Sequence, residues 1–114
     1  MAKGNYPPNF GGGMGNMQQL MQRAQKMQQD AMRKEEEMEA RSFEAAAGGG
    51  MVKAVFQGTK TLTALEVQPD CIDPDDPEML QDLIIAAVNA ALTLAHETKT
   101  AEMDKITGGM KLGL

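Results

Sequence analysis

Four cationic side chains in the N-terminal third are the residues of this sequence best suited to binding chemistry. Lys26 follows Arg23 by three residues, and Arg33 and Lys34 follow Lys26 by seven and eight. On a helix, this spacing makes part of one flank basic. Such a flank attracts phosphate groups, although the spacing alone is more often that of a solvated helix face. The surrounding sequence has no interleaved aromatic residues for base stacking and no zinc-finger or helix-turn-helix pattern.

Catalytic chemistry has much weaker support. Cys71 and His96 are the only residues of their types, and nothing in the sequence brings them together, whereas a nucleophile needs a positioned base. The glycine triplets at 11–13 and 48–50 lack the strand-to-helix G-x-x-x-x-G-K-[ST] context of a phosphate-binding loop. The sequence therefore predicts no catalytic residues, no cofactor, no small-molecule substrate and no enzymatic activity.

Two further features could indicate a metal site. Six carboxylates crowd residues 70–82, but they lack the spacing of a calcium-binding EF-hand loop, so helix capping and a solvated surface explain them. The chain also has eleven methionines, and thioethers bind copper(I). These methionines mostly follow core spacing without a nearby His or Cys, so the sequence predicts that they fill a core and that no metal is bound.

Charge is polarised along the chain. The net charge is −5, and this total taken alone argues against nucleic-acid binding. Residues 1–34, however, hold five basic side chains and one acidic side chain, whereas residues 70–82 hold six acidic and none basic. A basic end therefore coexists with an acidic total.

The N-terminal part divides into an arm and a helix. Residues 1–15 contain seven Gly or Pro and predict a flexible arm. Residues 16–40 contain neither, and Asn16 is a suitable N-cap. A narrow apolar stripe with alternating three- and four-residue steps predicts a helix that packs on one side and projects from the body; its members are Met17, Leu20, Ala24, Met27, Ala31 and Met38.

A sheet and a second helix follow. Residues 42–47, 51–57 and 62–68 alternate in polarity between glycine-containing turns, which predicts a three-stranded antiparallel meander. Asp76 and Pro77 predict a helix start, and this helix should run to about Ile106, before Gly108 and Gly109. Residues 108–114 form a C-terminal tail, and residues 16–107 form a single domain.

The predicted fold class is therefore α+β, an α-β-β-β-α chain with two long helices. The second helix has a wide apolar face over residues 80–95, too large for one small sheet to cover, so a second subunit should cover the rest. The single cysteine and the lack of an apolar leader predict a cytoplasmic protein. The longest apolar stretch is interrupted by Asn89 and Thr93, so no membrane association is predicted.

Several motifs, in order, resemble one known family. The segment MQQLMQRAQKMQ at 17–28 is similar to the first helix of the YbaB/EbfC family. GGGMVKAVFQG at 48–58 resembles its hairpin, and LEVQP at 65–69 resembles the end of its third strand. Its last helix is similar to EMLQDLI at 78–84 and AVNAA at 87–91 of this chain, and its ending is similar to GGM at 108–110. The chain departs from the usual pattern at Gln57, where Asn is commoner, and at Gln68, where Asp is expected.

The resemblance covers about residues 14–112 and implies a homodimer of α-β-β-β-α subunits with projecting first helices. It also implies a bacterial, nucleoid-associated protein that binds double-stranded DNA. Arg23, Lys26, Arg33 and Lys34 are then the expected DNA contacts. The alternative is a dimeric protein-interaction module that acts through a protein partner without touching DNA.

Overall fold

Two long helices and a three-stranded sheet make up the fold, seen in a computed structural model that describes residues 9–108. Helix α1 spans Asn9–Ala40 and helix α2 spans Pro77–Thr107. Between them lie β1 (Ser42–Ala47), β2 (Val52–Gln57), β3 (Thr61–Val67) and a 3-10 turn at Pro69–Cys71. The predicted α-β-β-β-α order and α+β class are confirmed.

Helix α1 begins earlier than the sequence predicts. Its first residue is Asn9 rather than Asn16, so Asn16 lies inside the helix and the prediction that it is the N-cap is wrong. Each glycine costs a helix only about 1 kcal/mol, and an existing helix gains one hydrogen bond for every residue added. The glycine-rich segment can therefore extend α1. Residues 1–8 of the predicted arm and residues 109–114 of the predicted tail lie outside the described part of the chain.

The sheet is an antiparallel meander in the order β1-β2-β3. Phe43 pairs with Phe56 and Ala45 with Ala54 between the first two strands, and Ala54 also pairs with Leu65 of β3. The β1–β2 turn consists of glycines at 48–50, whose φ angles of 64°, 67° and 95° are left-handed and favour residues without a side chain. The glycine hairpin predicted from the sequence is therefore present.

The main core lies between the sheet and α2. Val52, Ala54 and Phe56 of β2 are buried against Ala87 and Ala91 of the helix. Small side chains at these helix positions allow the helix backbone to approach the sheet closely. Within the described residues, α2 is the one helix long and apolar enough to cross a membrane by length and composition, a property that core helices of soluble proteins share.

The start and end of α2 agree with the sequence. The side chain of Asp76 accepts a hydrogen bond of 3.2 Å from the backbone N–H of Met79, and Pro77 is the first helical residue. At the other end, Gly108 takes a left-handed conformation and its N–H donates to the Asp104 carbonyl. The predicted cap and the predicted glycine stop are both confirmed.

Helix α2 leaves part of the apolar surface of a single chain uncovered. It packs against β1 and β2, so Leu62 and Leu65 on the edge strand β3 remain 42% and 38% exposed. Ile85 and Leu94 of α2 itself are 58% and 41% exposed. Leu62 and Leu65 lie three residues apart on one strand, and their exposure is consistent with a surface that another chain covers.

Candidate nucleic-acid interface

The two helices run antiparallel, and α1 extends beyond the end of α2. Ion pairs join Glu39 of α1 to Lys99 of α2 and Lys34 to Glu102, while Ile106 lines a shallow cavity with Asp30 and Arg33. Higher residue numbers on α2 therefore lie beside lower numbers on α1. From residue 15 to residue 26, every side chain of α1 is exposed. We call residues 15–26 the exposed half of α1.

The apolar stripe of α1 is buried only near the base of the helix. Met38 is 1% exposed and packs with Phe43 and Ala95, but Met17 and Leu20 are 61% and 60% exposed. The prediction that the methionines fill a core is therefore wrong for Met17, because α2 ends before it can cover the exposed half of α1. Met27 and Ala31, at the boundary, are half-buried.

Three of the four predicted cations share one side of the helix. At 3.6 residues per turn, Arg23, Lys26 and Arg33 fall within about a quarter of the circumference, and all three are exposed. We call these three residues the basic flank. It extends about 15 Å along the helix axis, a length that covers several phosphates of one DNA strand, which lie about 3.4 Å apart along the duplex axis.

The ion pairs of the basic flank are few. Arg33 lies 3.7 Å from Asp30, with 74% of its side chain exposed, and such an exposed pair is weak and easily exchanged for another anion. Among residues 9–108, Arg23 and Lys26 have no ion pair at all. Their charges are therefore available to a ligand.

Lys34 has a different environment from the basic flank. Its Nζ lies 3.1 Å from Glu37 and 3.4 Å from Glu102, and its side chain is only 24% exposed. Hydrogen bonds to Glu37, and then to Glu102, raise the pKa of Lys34 above its ordinary value. Lys34 therefore joins α1 to α2, and the structure does not place its charge with the basic flank.

A polar junction holds the base of α1 to the rest of the molecule. Thr59, in the β2–β3 turn, donates to the Glu39 carboxylate from its backbone N–H (3.1 Å) and its hydroxyl (2.9 Å), and Lys99 donates from Nζ (3.1 Å). The bonds from Thr59, followed by the one from Lys99, lower the pKa of Glu39 to about 2. The same partnership with Glu39 raises the pKa of Lys99. This junction fixes the direction in which the exposed half of α1 leaves the body.

Sequence reasoning does not find this junction. Its members are 20 and 60 residues apart, so no local spacing connects Glu39 with Thr59 or Lys99. The one local signal is Gly58, where a glycine between two strands marks a turn whose backbone must approach another element.

The two ends of the helix pair differ in charge. Residues 15–33 hold three basic side chains and one acidic, whereas residues 34–41 hold two basic and four acidic. The acidic run at 70–82 precedes and begins α2. Because the helices are antiparallel and α2 is about 45 Å long, this run lies at the opposite end of the pair from the exposed half of α1. The basic flank is thus well separated from the strongest negative charge in the chain.

Cys71 and His96, the other reactive side chains, occupy different environments. Cys71 is buried in the main core, where its thiol donates to the Gln68 carbonyl at 3.1 Å, while His96 is exposed on α2. The part of the chain that the structure describes contains no group of three or more His, Cys, Asp or Glu able to hold a metal ion.

Comparison with known proteins identifies the family. The model of the YbaB/EbfC DNA-binding family matches residues 14–110, nearly the whole chain. The chain belongs to this family. The resemblance noted in the sequence motifs is therefore confirmed.

Relatives of this chain are similar to it over nearly their whole length. A nucleoid-associated protein of Acetivibrio thermocellus is 52% identical over 110 residues, which is 96% of this chain and 94% of the relative. A nucleoid-associated protein of Thermoanaerobacter pseudethanolicus is 46% identical over 112 residues, or 98% and 96% of the two chains. The crystal structure of an uncharacterized Helicobacter pylori protein shares the fold, with a TM-score of 0.64 at 22% identity over 79% of this chain and 95% of that one.

Proposed function

We propose that this protein binds double-stranded DNA as a homodimer, mainly through phosphates, with the basic flank of each chain as the contact surface. The observation that carries the proposal is the exposure of Arg23 and Lys26, without ion pairs among residues 9–108, on a helix that projects from the body. Membership of the YbaB/EbfC DNA-binding family supports it. The bacterial relatives named nucleoid-associated support a location in the nucleoid, in the cytoplasm.

Lys34 has a secondary part in this proposal. It is one of the four cations expected to contact DNA, but a direct contact would require it to leave Glu37 and Glu102. Lys34 therefore adds to the positive potential near the base of the flank, while Arg23, Lys26 and Arg33 bind phosphates. Phosphate contacts fix the position of a protein on the duplex without reading its sequence, so we expect modest sequence preference and a role in nucleoid organisation and gene regulation.

The homodimer is supported by the apolar surface that a single chain leaves exposed. Leu62, Leu65, Ile85 and Leu94 are each between 38% and 58% exposed, and β3 is an edge strand with unpaired backbone groups. A second copy that covers this surface brings two exposed helices into one particle and doubles the number of phosphate contacts. Light scattering at micromolar concentration should give twice the chain mass of 12.3 kDa, and a folded monomer of uniform size would contradict the dimer.

Salt dependence tests the mode of DNA binding. A dimer that makes six phosphate contacts should lose affinity by about a thousandfold between roughly 50 and 200 mM monovalent salt, because each neutralised phosphate releases counterions. Fluorescence anisotropy with a labelled duplex at these two concentrations measures the loss. A salt-independent affinity would contradict binding through phosphates.

The net charge of −5 favours one alternative, a dimeric interaction module that acts beside DNA through a protein partner. The two functions differ in a simple assay. Absence of any mobility shift of duplex DNA, with folded wild-type protein at about 50 mM salt, supports the protein-partner function, because electrostatic attraction to phosphates is strongest at low salt. Membership of a DNA-binding family favours direct DNA binding over this alternative.

A further inference from the structure

Helix α1 packs on α2 along a narrow seam of methionine and alanine. Met38 of α1 is buried with Ala95 of α2, and Ala31 and Met27 continue the same side of α1 as half-buried residues. Methionine is unbranched and adapts to irregular surroundings, and alanine offers only a methyl group. Such a seam holds the two helices together but does little to fix the rotation of α1 about its own axis.

Charged side chains of α1 border this seam on both sides. At about 3.6 residues per turn, Lys34 lies about 40° from Met38 around the helix. Glu35 and Glu39 lie about 60° and 100° from Met38 in the opposite direction. On α1, the seam therefore has a positive charge on one side and negative charges on the other.

Helix α2 presents the complementary charges. Nζ of Lys99 lies 3.1 Å from Glu39 and 3.6 Å from Glu35. On the other side of the seam, Glu102 lies 3.4 Å from Nζ of Lys34. We call these three contacts the seam ion pairs. Exposed ion pairs contribute little to stability, but charges beside a helix–helix contact specify how the two helices are oriented. A rotation of α1 in either direction separates charges on at least one side, so the seam ion pairs define one rotational setting.

The rotation of α1 determines where the basic flank faces. The flank lies about 60° to 140° from Met38 around the helix, on the same side as Lys34. A helix with its side chains has a radius of about 5–6 Å, so a rotation of about 40° would move each charge by about 4 Å. This displacement exceeds the spacing of about 3.4 Å between phosphates of one strand. In the proposed dimer, both flanks can meet one duplex together only if each helix keeps its setting.

We propose that Lys99 is a positioning residue for DNA binding, which acts through Glu35 and Glu39 to turn the basic flank toward the duplex without touching DNA itself. Lys99 is suited to this role because Thr59 also holds Glu39 in the polar junction, so that the lysine links α1 both to α2 and to the sheet. The inference rests on the proposed function, since the orientation of the flank has its effect when DNA binds.

Replacement of the lysine tests the role in DNA binding. Lys99→Met removes the charge and keeps an unbranched side chain. The matched control is Lys53→Met, which removes the same charge from a lysine that also pairs with two glutamates, at 3.5 and 4.0 Å, on the sheet. Lys99→Met should raise the Kd for duplex DNA about tenfold, which corresponds to both flanks being correctly turned in about a tenth of the molecules. Lys53→Met should leave the Kd close to that of the wild type.

Salt dependence distinguishes positioning from direct contact. Lys99→Met should weaken binding equally at every salt concentration, because the bound state makes the same phosphate contacts and releases the same counterions. A slope of log affinity against log salt that flattens by about two units would mean that Lys99 of each chain binds a phosphate itself. That result would overturn the proposal.

A second variant keeps every charge and tests the same idea if Lys99→Met does not fold. Thr59→Val has nearly the same shape and removes only the hydroxyl hydrogen bond of 2.9 Å to Glu39. Its control, Thr63→Val, removes a hydroxyl bond of 3.2 Å to the Val55 carbonyl at an exposed strand position. Thr59→Val should weaken DNA binding at an unchanged salt slope, whereas Thr63→Val should not. Equal affinities of the two variants would contradict the proposal.

The orientation of α1 can also be measured without DNA. Spin labels at Gln22→Cys and Lys60→Cys report the distance between the exposed half of α1 and the β2–β3 turn in pulsed electron paramagnetic resonance. Dilution with unlabelled protein limits each particle to one labelled chain, and the native Cys71 is buried. The distance distribution should be narrow in the labelled wild type and with Lys53→Met, and clearly broader with Lys99→Met. Equal widths in all three would contradict the positioning role.

The DNA measurements separate this inference from the proposed function. Absence of DNA binding by the folded wild type would refute the proposed function and this inference with it. Binding by the wild type that Lys99→Met leaves unchanged would refute this inference alone.

Discussion

Replacing Gly58 with alanine should destabilise the protein through the junction that holds α1. Gly58 lies between β2 and β3 with a φ of 69°, and its N–H donates to the Arg41 carbonyl at 2.9 Å. A Cβ at this position would contact a carboxylate oxygen of Glu39 and lie 2.8 Å from its backbone oxygen and 2.9 Å from its Cα. The backbone of α1 cannot move away without disturbing the hydrogen bonds to Thr59.

The expected magnitude has two parts. A left-handed conformation costs a residue with a Cβ about 1–2 kcal/mol. Overpacking against the backbone of Glu39 adds about 1–3 kcal/mol. Gly58→Ala should therefore reduce the free energy of unfolding by about 2–5 kcal/mol in total.

Gly49 offers a matched control. Its φ of 67° is nearly the same as that of Gly58, but a Cβ there would meet no atom within 4 Å. Gly49→Ala should therefore cost only the conformational part, about 1–2 kcal/mol. The difference between the two losses of unfolding free energy measures the effect of the close approach of the β2–β3 turn to α1.

Urea unfolding followed by far-UV circular dichroism measures both variants. The protein concentration must be the same throughout, because the stability of the proposed dimer would depend on it. The midpoints should be compared at an unchanged slope. An equal loss of stability in Gly58→Ala and Gly49→Ala would refute the reasoning, since it would mean that the contact with Glu39 imposes no constraint.

Two further predictions concern a helix cap and pH. Asp76→Ala should lower the free energy of unfolding, measured by urea denaturation, by about 1 kcal/mol through loss of the cap on α2. Calcium should stabilise neither the wild type nor the variant. Stabilisation of the wild type alone by calcium would indicate a metal site instead of a cap. The pKa of Glu39 is lowered to about 2 from an ordinary value of 4.5, so its contribution to stability is present above pH 4.5 and is lost as the pH falls toward 2. Thermal melts over this pH range should show a smaller acid-induced fall in melting temperature for Glu39→Gln than for the wild type. The exposed control Glu36→Gln should behave like the wild type. Parallel curves for Glu39→Gln and the wild type would exclude Glu39 as a source of the acid-induced fall.

Features of the fold that depend on local sequence could be predicted. The three strands follow from alternation between glycine turns, and the start of α2 follows from Asp76 and Pro77, because a carboxylate cap and an N-terminal proline act within one helical turn. The wide face of α2 likewise follows from helical periodicity, and its alanines at 87, 91 and 95 are buried as expected.

Features that depend on distant contacts could not be predicted. Leu20 has core spacing but is exposed, because its burial depends on where α2 ends, more than 80 residues later in the chain. Lys34 follows the spacing of the cations, but Glu102 of α2 draws it into the helix contact. The start of α1 also differs from the prediction, because the glycines at 11–13 and 15 predict no helix, whereas the helix of residues 16–40 continues through them to Asn9.

The most direct test of the proposed function is the DNA affinity of the double variant Arg23→Glu/Lys26→Glu across a salt titration. Its loss of four phosphate contacts per dimer should weaken binding to all duplex sequences alike and flatten the slope of log affinity against log salt by about four units. The control Lys60→Glu changes an exposed cation in the β2–β3 turn and should leave the slope near that of the wild type. An unchanged affinity and slope in the double variant, with its circular dichroism spectrum intact, would show that the exposed half of α1 is not the DNA-binding surface.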